Sequence, residues 1–357
     1  MKRFALGIIA GCIGVLGGLA ASYAALALLW PDSFPAPPLT REAGLDEKLR
    51  FLREHPRLDP TILAVGSSIT WRQVAGTPFE RLAGGPGRFL NGATGGLQIH
   101  QTHDLLDFYL DHYPNVRSVL ILTGLPDFAD CTNAPAAMLN HAAAASYAFE
   151  RWPSAYFYLR YFAPQRFIRT AMTLAERRKP LIGDLYLDAD GAAPLQVPEA
   201  MQRGLRYQQI DTDAACIDEM AGISRDLTKR GIHLVVVFPP VNPLYQQTYP
   251  DAIPQICRIA DRIAQQTRGL DIRLLLLPDD GEFDETDFFD AFHLQNTAVQ
   301  RLSARIASEM EHASRLGAIK QVGTIPGEAR KASGFDRSCL NRRNEHRQEA
   351  LSDAFAG

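Results

Sequence analysis

Two segments of this 357-residue chain carry the residue types of nucleophilic acyl chemistry. In the first, Ser68 stands in a Gly-Ser-Ser-Ile-Thr segment at 66–70, where a strand ends and a helix can begin. Backbone N–H groups at such a turn favour developing negative charge. In the second, Asp290 and His293 stand three residues apart, on one side of a helical turn. A carboxylate that fixes an imidazole supplies the general base that a serine nucleophile needs.

A third segment, at 91–96, is rich in glycine and has the sequence Asn-Gly-Ala-Thr-Gly-Gly. Glycines let the backbone approach a ligand closely and aim N–H groups at it. Each segment alone also has an ordinary structural interpretation. The serine segment is typical of a turn with an N-cap, the glycine segment of a structural loop, and the last of a surface aspartate with a solvated histidine. Their conjunction indicates a site, because all three arise at one edge of the predicted sheet.

Apolar segments alternate with helical periodicity over most of the chain. Largely apolar strands that alternate with helices indicate a parallel sheet covered on both faces. We therefore expect a doubly wound α/β fold of about five strands, with ligands at the carboxyl ends of the strands. The predicted strands lie at 61–65, 88–90, 116–122, 232–238 and 272–277. The predicted helices that pack on them lie at 69–82, 97–112, 213–230, 253–267 and 295–313.

The predicted α/β domain covers 59–316 and is interrupted by a helical insertion at about 125–211. The insertion is rich in alanine, aromatic and basic residues, and it could lie over the active face, against a membrane, or on the sheet as a helical hairpin. A proline-rich linker with a short polar helix precedes the domain, at 32–58. The polar, mixed-charge composition of 317–357 is typical of a disordered tail.

Residues 1–31 predict a membrane anchor. Lys2 and Arg3 precede an uncharged run over 4–30, and about 20 apolar residues suffice to cross a bilayer. The positive-inside rule puts the N-terminus in the cytoplasm and the body outside. In a bacterium this means a single-pass inner-membrane protein whose body faces the periplasm. A signal peptide cleaved near the Ala-Leu-Ala at 25–27 and a lipoprotein box ending at Cys12 are the two alternatives.

The charge and cysteine content narrow the class of protein further. With a net charge of −3 the chain has no basic excess to neutralise phosphates, so we expect no nucleic-acid partner. Five cysteines are too few for a disulfide scaffold. In an oxidising compartment one disulfide can form, with Cys131 and Cys216 as the candidate pair, and buried free thiols are the alternative.

Taken together, the three segments resemble the sequence blocks of the SGNH hydrolase superfamily, the GDSL-type esterases. The resemblance covers the α/β domain without its insertion. It implies that Ser68 is the nucleophile, that His293 is the general base and that Asp290 orients the imidazole. It also implies an oxyanion hole built from the N–H groups of Ser68 and Gly96, with Gly95 as the alternative to Gly96.

Two positions depart from the family pattern. Ser67 stands where the family has the aspartate of its Gly-Asp-Ser block. Pro126 stands where the Gly-x-Asn-Asp block has an asparagine that donates to the oxyanion, and proline has no N–H. Loss of one such donor can cost about 10²–10³ in rate. Asn91 and Asn133 are the candidate substitutes.

The resemblance implies an extracytoplasmic serine enzyme that forms an acyl-Ser68 intermediate. Acyl transfer to water would make it an esterase, and transfer to a sugar hydroxyl an O-acetyltransferase of surface carbohydrate. Its partners would be an acyl ester or carbohydrate substrate, the inner membrane and a membrane acyl-transfer protein, and the reaction needs no cofactor or metal. The alternative is a non-catalytic scaffold or polysaccharide-binding partner of a membrane acylation complex, which Pro126 favours.

Overall fold

The computed structural model describes residues 2–29, 34–135, 137–201, 207–278 and 281–322. The chain divides into two compact units. Unit 1 combines 1–56 with 139–178, and unit 2 combines 57–138 with 179–357. All the predicted site residues therefore belong to unit 2. The part of the predicted disordered tail beyond residue 322 lies outside the described residues.

Unit 2 contains a five-stranded sheet in which all four pairs of neighbouring strands are parallel. The strand order is β2-β1-β3-β4-β5, the flavodoxin-like order of a doubly wound α/β fold. The predicted α/β class and the five predicted strands are thus confirmed, with ends that differ by one or two residues. The strands are β1 Ile62–Ala64, β2 Phe89–Asn91, β3 Ser118–Leu122, β4 His233–Phe238 and β5 Ile272–Leu276.

The described residues form twelve α-helices, five in unit 1 and seven in unit 2. The long predicted helix after β1 is two short helices, because the Ala75 N–H donates to the Ser303 hydroxyl (2.9 Å) instead of continuing the helical ladder. The helices are α1 Lys2–Leu29, α2 Ala43–Glu54, α3 Ser68–Gln73, α4 Gly76–Ala83, α5 Ile99–His112, α6 His141–Ala148, α7 Ser154–Arg160, α8 Pro164–Arg177, α9 Ala214–Lys229, α10 Pro243–Thr248, α11 Ala252–Gln266 and α12 Asn296–Val322.

Unit 1 combines the predicted anchor segment, most of the predicted linker and part of the predicted insertion. The short polar helix expected in the linker is α2, and eight successive residues of it, 45–52, are buried. Two of its three acidic residues are buried and paired, Glu47 with Arg178 (2.7 Å) and Asp46 with Arg166, whereas Glu54 is exposed. The segment is therefore an integral part of unit 1.

None of the helices formed by the described residues is long and apolar enough to span a membrane. The anchor expected over 1–31 gains no support from this finding and stays a prediction. In unit 2 the predicted cysteine pair is joined, because Cys131 and Cys216 form a disulfide between the loop after β3 and helix α9.

The turn between β1 and α3 is fastened to the next strand of the sheet by one hydroxyl. The Thr70 side chain donates to the carbonyl of Leu122 (2.8 Å) and accepts from its N–H (3.0 Å) at the end of β3. A Cβ at Gly66 would overlap this hydroxyl, and Gly66 has a φ of +149°, which side chains rarely adopt. Glycine is therefore required at the start of the turn that presents Ser68.

We predict that Gly66→Ala lowers the free energy of unfolding by about 1–3 kcal/mol beyond the backbone cost, because the new methyl group displaces Thr70. Gly84→Ala is the matched control, since Gly84 also has a positive φ (+96°) but has open space at its Cβ. Urea unfolding of both variants measures the difference. Equal losses in the two variants would show that the Thr70 contact does not impose the requirement.

Candidate active site

Ser68, His293 and Asp290 lie in one hydrogen-bonded row. The Nε2 atom of His293 is 2.9 Å from the Ser68 Oγ, and its Nδ1 atom is 2.9 and 3.0 Å from the two carboxylate oxygens of Asp290. His293 and Asp290 are buried, whereas Ser68 is half-buried. The predicted convergence of the three residues is thus observed, across a sequence separation of 225 residues.

The protonation state of the row follows from the partners of each atom. Burial alone would raise the pKa of Asp290, but the charge and hydrogen bonds of His293 and the backbone N–H groups of Phe292 and His293 hold it below its usual value. An ionised carboxylate can only accept, so the Nδ1 atom of His293 must be the donor. In the neutral imidazole Nε2 is then the acceptor, and it faces the Ser68 hydroxyl. This is the arrangement a general base needs.

The Asp290–His293 turn is closed by its own backbone. Phe288 and Leu294 form an antiparallel bridge, and the Phe289 N–H donates to the His293 carbonyl (2.7 Å). Inside the turn one oxygen of Asp290 accepts from the N–H groups of Phe292 (3.0 Å) and His293 (2.9 Å). The carboxylate is therefore fixed before it meets the imidazole.

Two amide side chains that sequence reasoning missed hold this turn in place. Gln73, the last residue of α3, donates from Nε2 to the Phe292 carbonyl (2.7 Å). Asn242, in the loop after β4, donates from Nδ2 to the Asp290 carbonyl (3.3 Å) and from its N–H to the Ala291 carbonyl (3.1 Å). Since Ser68 begins α3 and Gln73 ends it, one short helix positions both the nucleophile and the loop of its base.

The glycine segment lies beside the Ser68 turn. The Thr94 N–H donates to the carbonyl of Gly66 (3.1 Å), which ties the segment to the end of β1. Gly95 faces the ring of Trp71, whereas Gly96 has a φ of +74° and open space at its Cβ. The backbone N–H of Gly96 remains the predicted oxyanion donor, with Gly95 as the alternative.

The two asparagines expected to replace the missing donor are engaged elsewhere. Asn91 is fully buried, and its Nδ2 donates to the Thr70 carbonyl (3.2 Å). Asn91 therefore ties the end of β2 to helix α3. Asn133 is exposed, and its Nδ2 donates to the Asp130 carboxylate (3.0 Å). These contacts give both side chains structural roles, and their use as oxyanion donors stays a prediction.

The segment with Pro126 forms a single 3₁₀ turn, Leu125–Phe128, after β3. A Cβ on Gly124 would lie 2.9 Å from the Ile69 side chain, so the turn packs directly against α3. Gln98 holds the turn from the other side. Its Nε2 donates to the Pro126 carbonyl (3.1 Å), and its Oε1 accepts from two backbone N–H groups further along, at 129 and 130 (both 3.0 Å). The Pro126 carbonyl is thus already hydrogen-bonded by Gln98, and the residue has no N–H group that could donate to an oxyanion.

A buried carboxylate next to the turn that presents Ser68 explains why position 67 is a serine and not the aspartate of the family pattern. Asp127 accepts from the Thr123 hydroxyl (2.9 Å) and the Gly124 N–H (3.3 Å), and it is hydrogen-bonded by Ser67. Burial raises the pKa of Asp127 to about 7 in spite of these bonds. An aspartate at position 67 would place a second carboxylate against this one. The serine instead supplies a hydroxyl donor.

No model of a known protein family matches this chain, and no curated protein matches it in sequence. The resemblance to SGNH hydrolases therefore rests on the sequence segments alone and stays a prediction.

We predict that Asp127 makes the protein less stable as the pH rises from about 4 to about 7. The native state holds the Asp127 proton up to about pH 7, whereas the unfolded state releases it near 4, so the native state binds more protons throughout this window. Asp127→Asn should gain stability relative to the parent protein over the same window, as measured by urea unfolding at several pH values.

Asp284→Asn is the control of opposite sign. Hydrogen bonds from Thr286 lower the pKa of this exposed carboxyl, so its contribution is lost as the pH falls through the folded pKa. If the free energy of unfolding depends on pH in the same way in Asp127→Asn and in the parent protein, the raised pKa of Asp127 is wrong.

Proposed function

We propose that this chain is an SGNH-type serine enzyme that handles acyl esters, either as a hydrolase or as an O-acyltransferase. The observation that carries the proposal is the Ser68–His293–Asp290 row, with its acceptor nitrogen facing the serine hydroxyl at 2.9 Å. The site lies at the carboxyl edge of the sheet, and the strand order reverses between β1 and β3, which lead into it. Ligands of doubly wound folds bind at such a switch point.

In the first half-reaction, the Ser68 oxygen attacks the carbonyl carbon of the ester while its proton moves to Nε2 of His293. Asp290 stabilises the resulting imidazolium, and the N–H groups of Ser68 and Gly96 receive the oxyanion. The carbon–oxygen bond to the alcohol then breaks. The alcohol leaves with the proton from Nε2, and the acyl group stays on Ser68.

In the second half-reaction, His293 takes a proton from the acceptor, whose oxygen attacks the acyl carbon. The Ser68 oxygen leaves and regains its proton from Nε2. Water as the acceptor gives a carboxylic acid, and a sugar hydroxyl gives a new ester. The two outcomes use the same residues, so the identity of the acceptor depends on what binds beside Ser68.

A cavity beyond the ends of β4 and β5 supports a carbohydrate as acceptor. Its volume is about 310 Å³, and its walls include Pro240, Pro278 and Phe283 together with the side chains of Gln246 and Gln247. Apolar walls suit the C–H faces of a sugar ring, and the exposed Gln247 amide suits its hydroxyls, whereas the Gln246 Nε2 already donates to the carbonyls of Val241 (2.7 Å) and Pro278 (3.4 Å). Another of its wall residues, at 241, directly precedes the asparagine that holds the Asp290 turn.

We further propose that the body of the protein lies outside the cytoplasm, anchored by residues 4–30. The uncharged sequence of this segment and the Cys131–Cys216 disulfide support the proposal, since disulfides persist mainly in oxidising compartments. The acylated surface carbohydrates that such an enzyme would modify lie in the same compartment.

A non-catalytic scaffold is the second candidate. Pro126 favours it, because this residue has no N–H group to donate to an oxyanion. In that case the site would bind a carbohydrate or an acyl-transfer partner without turning it over. The intact base geometry of His293 favours catalysis, because an orientation this specific has no use in a scaffold.

The proposal predicts that a fluorophosphonate probe labels Ser68 and that Ser68→Ala abolishes both labelling and hydrolysis of p-nitrophenyl acetate. Loss of the nucleophile of a serine site leaves only a small residual rate. Ser308→Ala, which removes an exposed serine on α12, is the matched control and should label like the parent protein. Mass spectrometry of the labelled peptide identifies the residue. An unlabelled Ser68 in folded protein, with no turnover of any donor ester, would favour the scaffold.

The missing oxyanion donor predicts slow hydrolysis that Pro126→Asn improves. The substitution keeps the carbonyl that Gln98 binds and adds a side-chain N–H₂ group, so we expect the rate with p-nitrophenyl acetate to rise by at most about 10²–10³. Pro164→Asn, a proline-to-asparagine change at the start of α8, controls for nonspecific effects. Brisk turnover of the parent protein that Pro126→Asn leaves unchanged would show that another group already fills the role.

A further inference from the structure

Helix α8 of unit 1 buries Thr170 and Leu174 on one side and exposes large apolar residues on the other. Arg166 pairs with the buried Asp46 of α2, and Arg178, just after the helix end, pairs with the buried Glu47 (2.7 Å). On the opposite side Ile168 and Met172, one helical turn apart, are 56% and 82% exposed. The outer side of a surface helix is normally polar, whereas here two large apolar residues share it with Gln165, Arg169 and Glu176.

Further exposed apolar residues of unit 1 lie in α7 and in the segments just before and after it. Single exposed apolar side chains are ordinary, but a concentration of them over two adjoining helices marks an interaction surface. Trp152 and Tyr156 contact each other edge to face, with ring centres 5.6 Å apart. We call the set the outer face of unit 1, and it consists of Trp152, Tyr156, Leu159, Phe162, Ile168 and Met172, which are between 40% and 82% exposed.

The charges beside the outer face indicate what it contacts. Arg160 and Arg169 are exposed among the apolar residues, and the Arg160 guanidinium lies 6.0 Å from the centre of the Tyr156 ring. Aromatic rings with arginines between them are typical of the boundary between lipid tails and head groups. Arginine also complements the negative charge of anionic lipids. In addition, α7 contacts α1, whose sequence has no charged residue after position 3.

We propose that the outer face of unit 1 docks on a lipid bilayer that contains anionic head groups. Leu159, Ile168 and Met172 enter the upper part of the acyl region, the aromatic rings lie at the head-group level, and Arg160 and Arg169 bind the lipid phosphates. The docking surface belongs to unit 1 and shares no residue with the site around Ser68, so the proposal is tested independently of the proposed catalysis.

The test uses fluorescence of the full chain in vesicles of phosphatidylglycerol and phosphatidylcholine whose acyl chains are brominated, since bromine quenches tryptophan on contact. The chain has three tryptophans. Trp30→Phe leaves Trp152, which is 46% exposed, and Trp71, which is only 3% exposed and is shielded from lipid. We expect strong quenching in this background and its loss on further substitution of Trp152 by phenylalanine.

Two variants then separate docking from mere proximity to the vesicle. Ile168→Glu with Met172→Glu removes apolar area and should reduce Trp152 quenching at least about twofold. Thr173→Glu with Gln300→Glu adds the same charge at exposed polar positions outside the outer face, on α8 and α12, and should reduce it less. Leu159→Glu, an independent variant on α7, should also reduce Trp152 quenching. Circular dichroism checks that each variant is folded.

Trp152 that brominated lipid does not quench would overturn the proposal, as would equal quenching in the two double variants. Sedimentation in detergent tests whether a second copy of the chain covers the outer face instead of lipid. If the parent protein is a dimer that Ile168→Glu with Met172→Glu converts to a monomer, a second copy covers the outer face and the lipid assignment is wrong.

Discussion

The negative charge of Asp290 determines what the site around Ser68 can do. An ionised carboxylate under the imidazole forces the proton onto Nδ1 and leaves Nε2 as the acceptor that faces the serine. With a neutral carboxyl, either ring nitrogen could hold the proton, and the serine would lose its base. The charge survives burial because His293 and two backbone N–H groups all bind the same carboxylate.

Helix α3 holds the nucleophile next to the Asp290–His293 pair. Its first residue is Ser68, its third is the threonine that fastens the helix to β3, and its last is Gln73, which holds the turn of the base. A displacement of α3 would therefore move nucleophile and base together. Asp127, hydrogen-bonded by Ser67 of the same turn, is a second buried carboxyl of the site, and burial raises its pKa to about 7.

The sequence predicts the sheet well because buried parallel strands are short apolar runs, and their ends place Ser68, Asp290 and His293 at one edge. It fails where a single long-range bond decides the outcome. The break between α3 and α4 depends on Ser303, more than 200 residues away in the chain. The amides of Gln73 and Gln98 carry no local sequence signal that distinguishes them from surface residues, so their contacts to the two loops of the site could not be predicted.

The measurement that tests the account most directly is the mass of the protein during reaction with an aryl acetate. We expect rapid acid quenching to trap one added acetyl group and proteolysis to place it on Ser68. His293→Gln, which removes the base and keeps an amide of similar reach, should accumulate this species far more slowly. Acetylation of a different residue, or equal acetylation of Ser68 in the parent protein and His293→Gln, would contradict a serine nucleophile activated by His293.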